Sequence, residues 1–152
     1  MRKDDFVMRG QTSSDSGANT EVLNFSGRKP GYAYKLIQFD IYPSTNIGGA
    51  NYEMCASITA GKSAADPTNP NFSDDSLIAN VLAAEDSGSP TTGYRLEVIN
   101  DTFLITQNLI LTVKDTQAGT PVNWQCRFRP VKLAKAEEAV ANYKQFMISD
   151  GS

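Results

Sequence analysis

The chain has 152 residues, of which 40% are hydrophobic, and its formal net charge is −3. Its length is that of one ordinary domain, and no apolar run approaches the ~18 residues of a membrane-spanning helix. Nucleic-acid-coating proteins usually carry a large basic excess, so direct binding of nucleic acid is not expected. The sequence contains no histidine, the commonest general base and zinc ligand. We therefore predict a protein that is not an enzyme and that holds no metal or cofactor.

Residues 1–20 are polar and show no sustained periodicity, which predicts an extended N-terminal arm. The arm has one apolar cluster, formed by Phe6, Val7 and Met8. Since so polar a segment cannot offset its ordering entropy alone, this cluster is predicted to anchor the arm on a partner. The first residues are charged and not those of an apolar signal segment, so synthesis in the cytoplasm is expected.

Alternation of apolar and polar residues predicts seven or eight short strands between residues 21 and 133. The segments are 22–25, 32–42, 52–59, 94–98, 103–105, 109–113 and 122–129, with a hairpin turn at Asn100 and Asp101. Residues 76–84 suit a strand or a short helix, and a strand is favoured. Short strands without intervening helices indicate a mostly β fold, an antiparallel β-sandwich of jelly-roll or immunoglobulin-like type.

The inward phase of these strands predicts the core. Its members are the apolar residues at alternate positions: Ile37, Phe39, Ile41, Met54, Ile58, Leu96, Val98, Leu109, Leu111, Trp124 and Phe128. Cys126 falls in this buried phase, whereas Cys55 falls in the opposite, polar phase. A reducing compartment is expected, so both thiols are predicted to be free and not bridged to each other.

The last segment changes to a helical period. Ala136, Val140, Tyr143 and Met147 recur at the spacing of one helix face within residues 135–148. We predict a C-terminal helix and tail over residues 134–152. The apolar stripe is expected to contact the core, with contact to a partner as the alternative.

Two segments imitate ligand-binding motifs. Residues 56–63 differ from a phosphate-binding loop only at Ala56, but Pro67 and Pro70 follow and would break the helix that receives the phosphate. The 61–75 loop is rich in Asp and Asn, whose oxygens calcium prefers, yet its spacing is not that of an EF-hand. Both segments are predicted to be plain loops.

Four basic residues lie close together near the end of the predicted sandwich. Arg127 and Arg129 share the polar face of one strand, and Lys132 and Lys135 follow. They either form a charged sheet edge that opposes aggregation or a cationic stripe that binds an acidic partner. With Phe6–Met8, they make up the candidate partner-binding residues.

Several stretches of the chain carry a family resemblance. They are residues 22–27 (VLNFSG), 29–34 (KPGYAY), 39–44 (FDIYPS), 98–103 (VINDTF), 105–109 (ITQNL), 122–128 (VNWQCRF) and 139–146 (AVANYKQF). Together they make residues 20–149 resemble small β-rich structural proteins encoded by marine tailed bacteriophages. These are packing and turn motifs, so the resemblance carries over no active-site residue.

The resemblance implies a virion component, with copies of itself and other virion proteins as partners. The main hypothesis is a capsid-associated protein, either a decoration subunit or a small shell component, present in many symmetric copies. The alternative is a tail or fibre module whose 61–75 and 84–93 loops bind a receptor or glycan. Either role places the protein in the virion and requires no catalyst.

Overall fold

The computed structural model describes residues 3–14, 19–44, 52–61, 63–86, 92–116 and 120–151. The described residues form strands β1 (Phe6–Thr12), β2 (Asn19–Leu23), β3 (Tyr32–Pro43), β4 (Tyr52–Thr59), β5 (Leu77–Asp86), β6 (Thr92–Ile99), β7 (Leu109–Asp115) and β8 (Val122–Lys132), followed by helix α1 (Lys135–Gly151). One antiparallel sheet has the order β1-β8-β3, and the other has the order β2-β7-β4-β5-β6. The ambiguous segment at 76–84 is therefore a strand.

The two sheets enclose one apolar core. Phe39 and Phe128 of the three-stranded sheet are fully buried, as are Ile58 and Leu111 of the five-stranded sheet. Since inward side chains alternate with outward ones along a strand, the period-2 pattern placed seven of the eleven predicted core residues correctly: Phe39, Ile41, Met54, Ile58, Leu109, Leu111 and Phe128. The predicted sandwich-like, mostly β fold with a C-terminal helix is confirmed.

Strand β1 lies within the predicted N-terminal arm, so that prediction is wrong for Phe6–Thr12. The strand pairs with β8 from Phe6 opposite Phe128 to Thr12 opposite Val122. The Phe6 ring stacks on Phe128 with 5.5 Å between centroids. This burial stabilises β1. The sequence did not indicate the strand, because its outward positions are polar. Residues 1–2 and 15–18 of the predicted arm lie outside the described residues.

A bulge in β3 changes the phase predicted for Ile37. Leu36 is opposite Phe128 and Gln38 is opposite Arg127, which leaves Ile37 as the additional residue between two ladder positions. Leu36 is consequently fully buried, whereas Ile37 is only half-buried.

Strand β6 shows the opposite phase from the prediction. Leu96 is opposite Leu82 and Val98 is opposite Asn80 on the outer face of β5. Leu96 is 62% exposed and Val98 is 52% exposed, so neither belongs to the core. The predicted hairpin after β6 is also wrong, because β6 pairs with β5 and Ile105 makes only an isolated bridge with Tyr34.

Trp124 lies at one end of the sandwich. The prediction places it in the core, but it is only half-buried. Its indole Nε1 donates a hydrogen bond to Thr12 Oγ1 at 2.9 Å. Its ring covers Gly10, where a Cβ atom would come within 2.8 Å of the Trp124 ring. The close approach therefore requires glycine at position 10.

Strand β4 is buried on both faces, and for that reason Cys55 is not solvated as its phase suggested. The loop before β5 covers the outer face, where Ser57 Oγ donates to Ala65 O at 3.4 Å and Asn80 Nδ2 donates to Pro67 O at 3.3 Å. Cys55 and Cys126 are both buried and free, which confirms that they are not bridged. Burial raises the pKa of the Cys55 thiol to about 11, and it also raises the pKa of Cys126.

Candidate partner-binding surfaces

Helix α1 docks on the sandwich through a polar residue. The Gln145 side chain is fully buried. Its Oε1 accepts hydrogen bonds from the backbone N–H of Thr106 at 2.7 Å, from the Thr106 hydroxyl at 3.0 Å and from the backbone N–H of Gln107 at 3.1 Å. One amide oxygen thus satisfies donors of the 105–107 segment that would otherwise be buried without a partner.

A small apolar cluster and an ion pair complete the docked face of α1. Ala141 packs against Ala33 and Leu133. One turn earlier, Glu138 lies 3.7 Å from Arg28. Ile148, one turn after Gln145, packs against the main core. The residues that face the domain therefore recur at positions 138, 141, 145 and 148, which is one side of a helix.

The predicted apolar stripe of α1 lies on the other side and faces solvent. Of the predicted stripe, Ala136 is exposed, Val140 is 68% exposed, Tyr143 65% and Met147 50%. Phe146, which the prediction did not include, lies beside them and is 54% exposed. The prediction that this stripe contacts the core is wrong, because the hydrogen bonds of Gln145 place the opposite side against the domain. A contiguous exposed apolar patch of this kind marks an interaction surface. We refer to Val140, Tyr143, Phe146 and Met147 as the α1 surface.

A groove borders the α1 surface. It has a volume of about 390 Å³ and lies between the helix and residues 102–104, with Phe103, Leu104 and Val140 in its wall. The Lys144 ammonium is 5.6 Å from the centre of the Phe103 ring. The groove extends the apolar area that a partner can cover.

The predicted apolar cluster of the N-terminus divides between the two faces of β1. Phe6 and Met8 pack against the core of their own domain. Val7 is opposite Arg127 on the outer face and is 38% exposed. Phe6 and Met8 therefore stabilise the sandwich, and contact with a partner stays a prediction for Val7 alone.

The four predicted basic residues have different surroundings. Arg129 forms two hydrogen bonds of 3.0 Å with the carboxylate of Asp5, and these bonds raise its pKa. Arg127 Nε donates to Gln38 Oε1 at 3.3 Å. Lys132 and Lys135 are exposed. The Asp5 carboxylate neutralises Arg129 in the middle of the predicted cationic stripe. Binding of an acidic partner by this stripe stays a prediction, and it rests mainly on Lys132 and Lys135.

Strand β6 carries a second apolar surface that the sequence did not indicate. Tyr94 is 56% exposed and, with Leu96 and Val98, lies on the outer face of the sheet. On the other face of β6, which faces β3, Arg95 forms ion pairs with Asp40 and Glu97. Within the described ranges, no strand pairs with the free edge of β6.

Neither of the two segments that resemble ligand-binding motifs forms such a site. Residues 56–63 include the end of β4, and the 61–75 loop contains successive turns. Lys62 lies outside the described residues, and residues 63–76 contain no helix that could receive a phosphate. Asp66, Asn71 and Asp74 each accept a hydrogen bond from the backbone N–H two residues later, at 3.0, 3.0 and 2.9 Å. These turns explain the Asp and Asn content of the loop. In the part of the chain that the structure describes, no three acidic or cysteine side chains are grouped to hold a metal ion.

Comparison of the chain with known protein families, curated proteins and solved structures found no significant match. Among the described residues, α1 is the one helix, and it is not long and apolar enough to cross a membrane. The arrangement that remains to be explained is a β-sandwich with two exposed apolar surfaces.

Proposed function

We propose that the chain is a non-enzymatic structural protein of a virion, associated with the capsid as a decoration subunit or a small shell component. The observation that carries this proposal is the orientation of α1, which buries Gln145 and exposes the α1 surface. An isolated domain gains nothing from exposing four large apolar side chains on one helix. A subunit whose neighbour covers them gains the free energy of their burial, about 25 cal/mol per Å² of apolar area.

The strand order supports a capsid role. We propose that the sandwich is a jelly roll, a fold in which strands one and eight, two and seven, three and six, and four and five are neighbours. Here β1 pairs with β8, β2 with β7 and β4 with β5. The remaining pair is joined by the Arg95 guanidinium of β6, which donates to the Phe39 carbonyl of β3 at 2.7 Å. Jelly rolls are common in viral capsids, although a fold alone does not define a function.

One observation favours the alternative of a tail or fibre module. Phe72 lies in the long loop before β5 and is 65% exposed. An exposed aromatic ring on a loop suits a glycan or receptor. In that case the β5–β6 loop would contribute as well, but its residues 87–91 lie outside the described part of the chain.

We expect charge on the α1 surface to abolish assembly without unfolding the domain. The double variant Tyr143→Lys/Met147→Lys places two charges on residues that are at least half exposed, so its thermal midpoint should stay within a few degrees of wild type. Its incorporation into particles should fall by on the order of tenfold or more, because burying unpaired charge is costly. Quantitative mass spectrometry of purified particles measures this incorporation.

The control is Tyr42→Lys, which charges another exposed tyrosine, on β3 (56% exposed, against 65% for Tyr143). This variant should enter particles at the wild-type level. Wild-type incorporation of Tyr143→Lys/Met147→Lys would overturn the role of the α1 surface. If Phe72→Ala instead abolished attachment of particles to host cells, the tail alternative would replace the capsid proposal.

A further inference from the structure

Strand β6 combines two properties that folded domains normally keep apart. Among the described strands it is the last of its sheet, and its outward side chains Tyr94, Leu96 and Val98 are all more than half exposed. An edge strand offers unpaired backbone N–H and C=O groups, and proteins usually blunt such edges with bulges, short length or repelling charge. The β6 edge therefore resembles a site for pairing with another strand more than a protected sheet edge.

The other edges of the two sheets are protected. Strand β3 contains the bulge at Ile37, which disrupts a regular ladder. Strand β2 has only five residues. In β1, a symmetric antiparallel pairing would place Arg9 at its centre, against the same positive charge of a second copy. Strand β6 has eight residues and no bulge in its pairing with β5, and its charged residues Arg95 and Glu97 have opposite signs, so a second copy need not be repelled.

The sequence of β6 is complementary to itself. In an antiparallel pairing that places Leu96 opposite the partner's Leu96, Arg95 is opposite the partner's Glu97. By the twofold symmetry, Glu97 is opposite the partner's Arg95, and Tyr94 is opposite the partner's Val98. Both charged pairs are thus attractive, and the aromatic pair with a β-branched residue is one of the favourable cross-strand combinations.

We propose that β6 pairs with β6 of a second copy in this register and joins two five-stranded sheets into one continuous sheet. The pairing satisfies the free backbone groups of both edges. It also brings the exposed apolar triplets of the two copies side by side on the outer face. Arg95 can take part without giving up its own domain, because its contacts with Asp40, Glu97 and Phe39 O all use Nη2 of a group with five N–H donors.

The pairing goes beyond the proposed function, since it concerns the purified chain and requires no particle. Its first test is a charge exchange followed by sedimentation equilibrium. Arg95→Glu and Glu97→Arg should each weaken self-association on the order of tenfold, because each places like charges opposite each other twice. An equimolar mixture of the two variants should recover wild-type affinity. In the mixed pair, both acidic side chains of the Arg95→Glu chain are opposite the two arginines of the Glu97→Arg chain.

Disulfide trapping tests the register independently. Leu96→Cys should form a covalent dimer on mild oxidation, because the two residues are directly opposite across the twofold axis. Val98→Cys is the matched control. Its partner lies four residue steps away, about 13 Å, which is beyond the ~7 Å limit for a disulfide. Both variants retain the buried Cys55 and Cys126, so these do not account for a difference.

The same measurements in the Tyr143→Lys/Met147→Lys background separate β6 pairing from association through α1. Dimerisation should persist in that background even where particle incorporation is lost. A monomeric wild-type chain at every concentration, no recovery in the mixture, or equal trapping of the two cysteine variants would overturn the proposed pairing.

Discussion

Replacing Phe128 with alanine is expected to lower the free energy of unfolding by about 3–5 kcal/mol. Phe128 is fully buried, and its ring lies 5.5 Å from that of Phe6 and 5.0 Å from that of Phe25. Truncation removes the ring on which Phe6 stacks, and so weakens the attachment of β1 to the sandwich. Urea denaturation followed by circular dichroism measures the loss.

Phe146→Ala is the matched control for Phe128→Ala. Phe146 is 54% exposed on α1, so its truncation in a monomer should change stability by no more than about 0.5 kcal/mol. Equal losses in the two variants would show that the assignment of one ring to the core and the other to the surface is incorrect.

Gln145→Ala is expected to cost about 2–4 kcal/mol and to release α1. The substitution leaves the backbone N–H groups of Thr106 and Gln107 without their acceptor, and each buried donor left unsatisfied costs about 1–3 kcal/mol. Fast amide exchange confined to α1 and to residues 105–107 would accompany the loss. Hydrogen-exchange mass spectrometry detects this change.

Val140→Ala provides the comparison on the same helix. Val140 is 68% exposed, and alanine has the higher helix propensity, so stability should be unchanged or slightly raised. If Gln145→Ala changed stability as little as Val140→Ala, the docking of the helix would not depend on the polar contact. The hydrogen bonds of Gln145 would then not explain the orientation of α1.

The sequence predicted the sandwich well because strand alternation reports burial directly. In β8, Val122, Cys126 and Phe128 are buried where the alternation placed them. The existence of α1 followed equally from its 3.6-residue period. The period could not tell which face docks, because that choice depends on donors 38 and 39 residues away from Gln145 in sequence.

The strands that sequence reasoning missed or inverted are edge strands. β1 contains Gly10 and Gln11, and only Phe6 and Met8 mark its inner face. In β6 the apolar phase faces outward, because register is set by pairing with β5 and not by hydrophobicity. Edge strands bury fewer side chains than central strands do. The alternation of apolar and polar residues in an edge strand is therefore weaker evidence for which face points inward.

The candidate partner-binding residues were only partly accessible to prediction. Grouping Phe6 with Val7 and Met8 overlooked that neighbours on a strand point to opposite faces. Grouping Arg129 with the other basic residues overlooked Asp5, which the chain brings to it from 124 positions away. For the proposed β6 pairing, which the sequence analysis did not consider, the relevant feature of the sequence is the pair of opposite charges, Arg95 and Glu97, on either side of Leu96.

The copy number of the protein in purified virus particles tests the central proposal most directly. Symmetric shell and decoration proteins occupy repeated positions over a capsid, whereas tail components occupy few. Quantitative mass spectrometry against the major virion protein should give on the order of hundreds of copies per particle. A value of about a dozen or fewer, or absence from particles, would contradict a capsid-associated role.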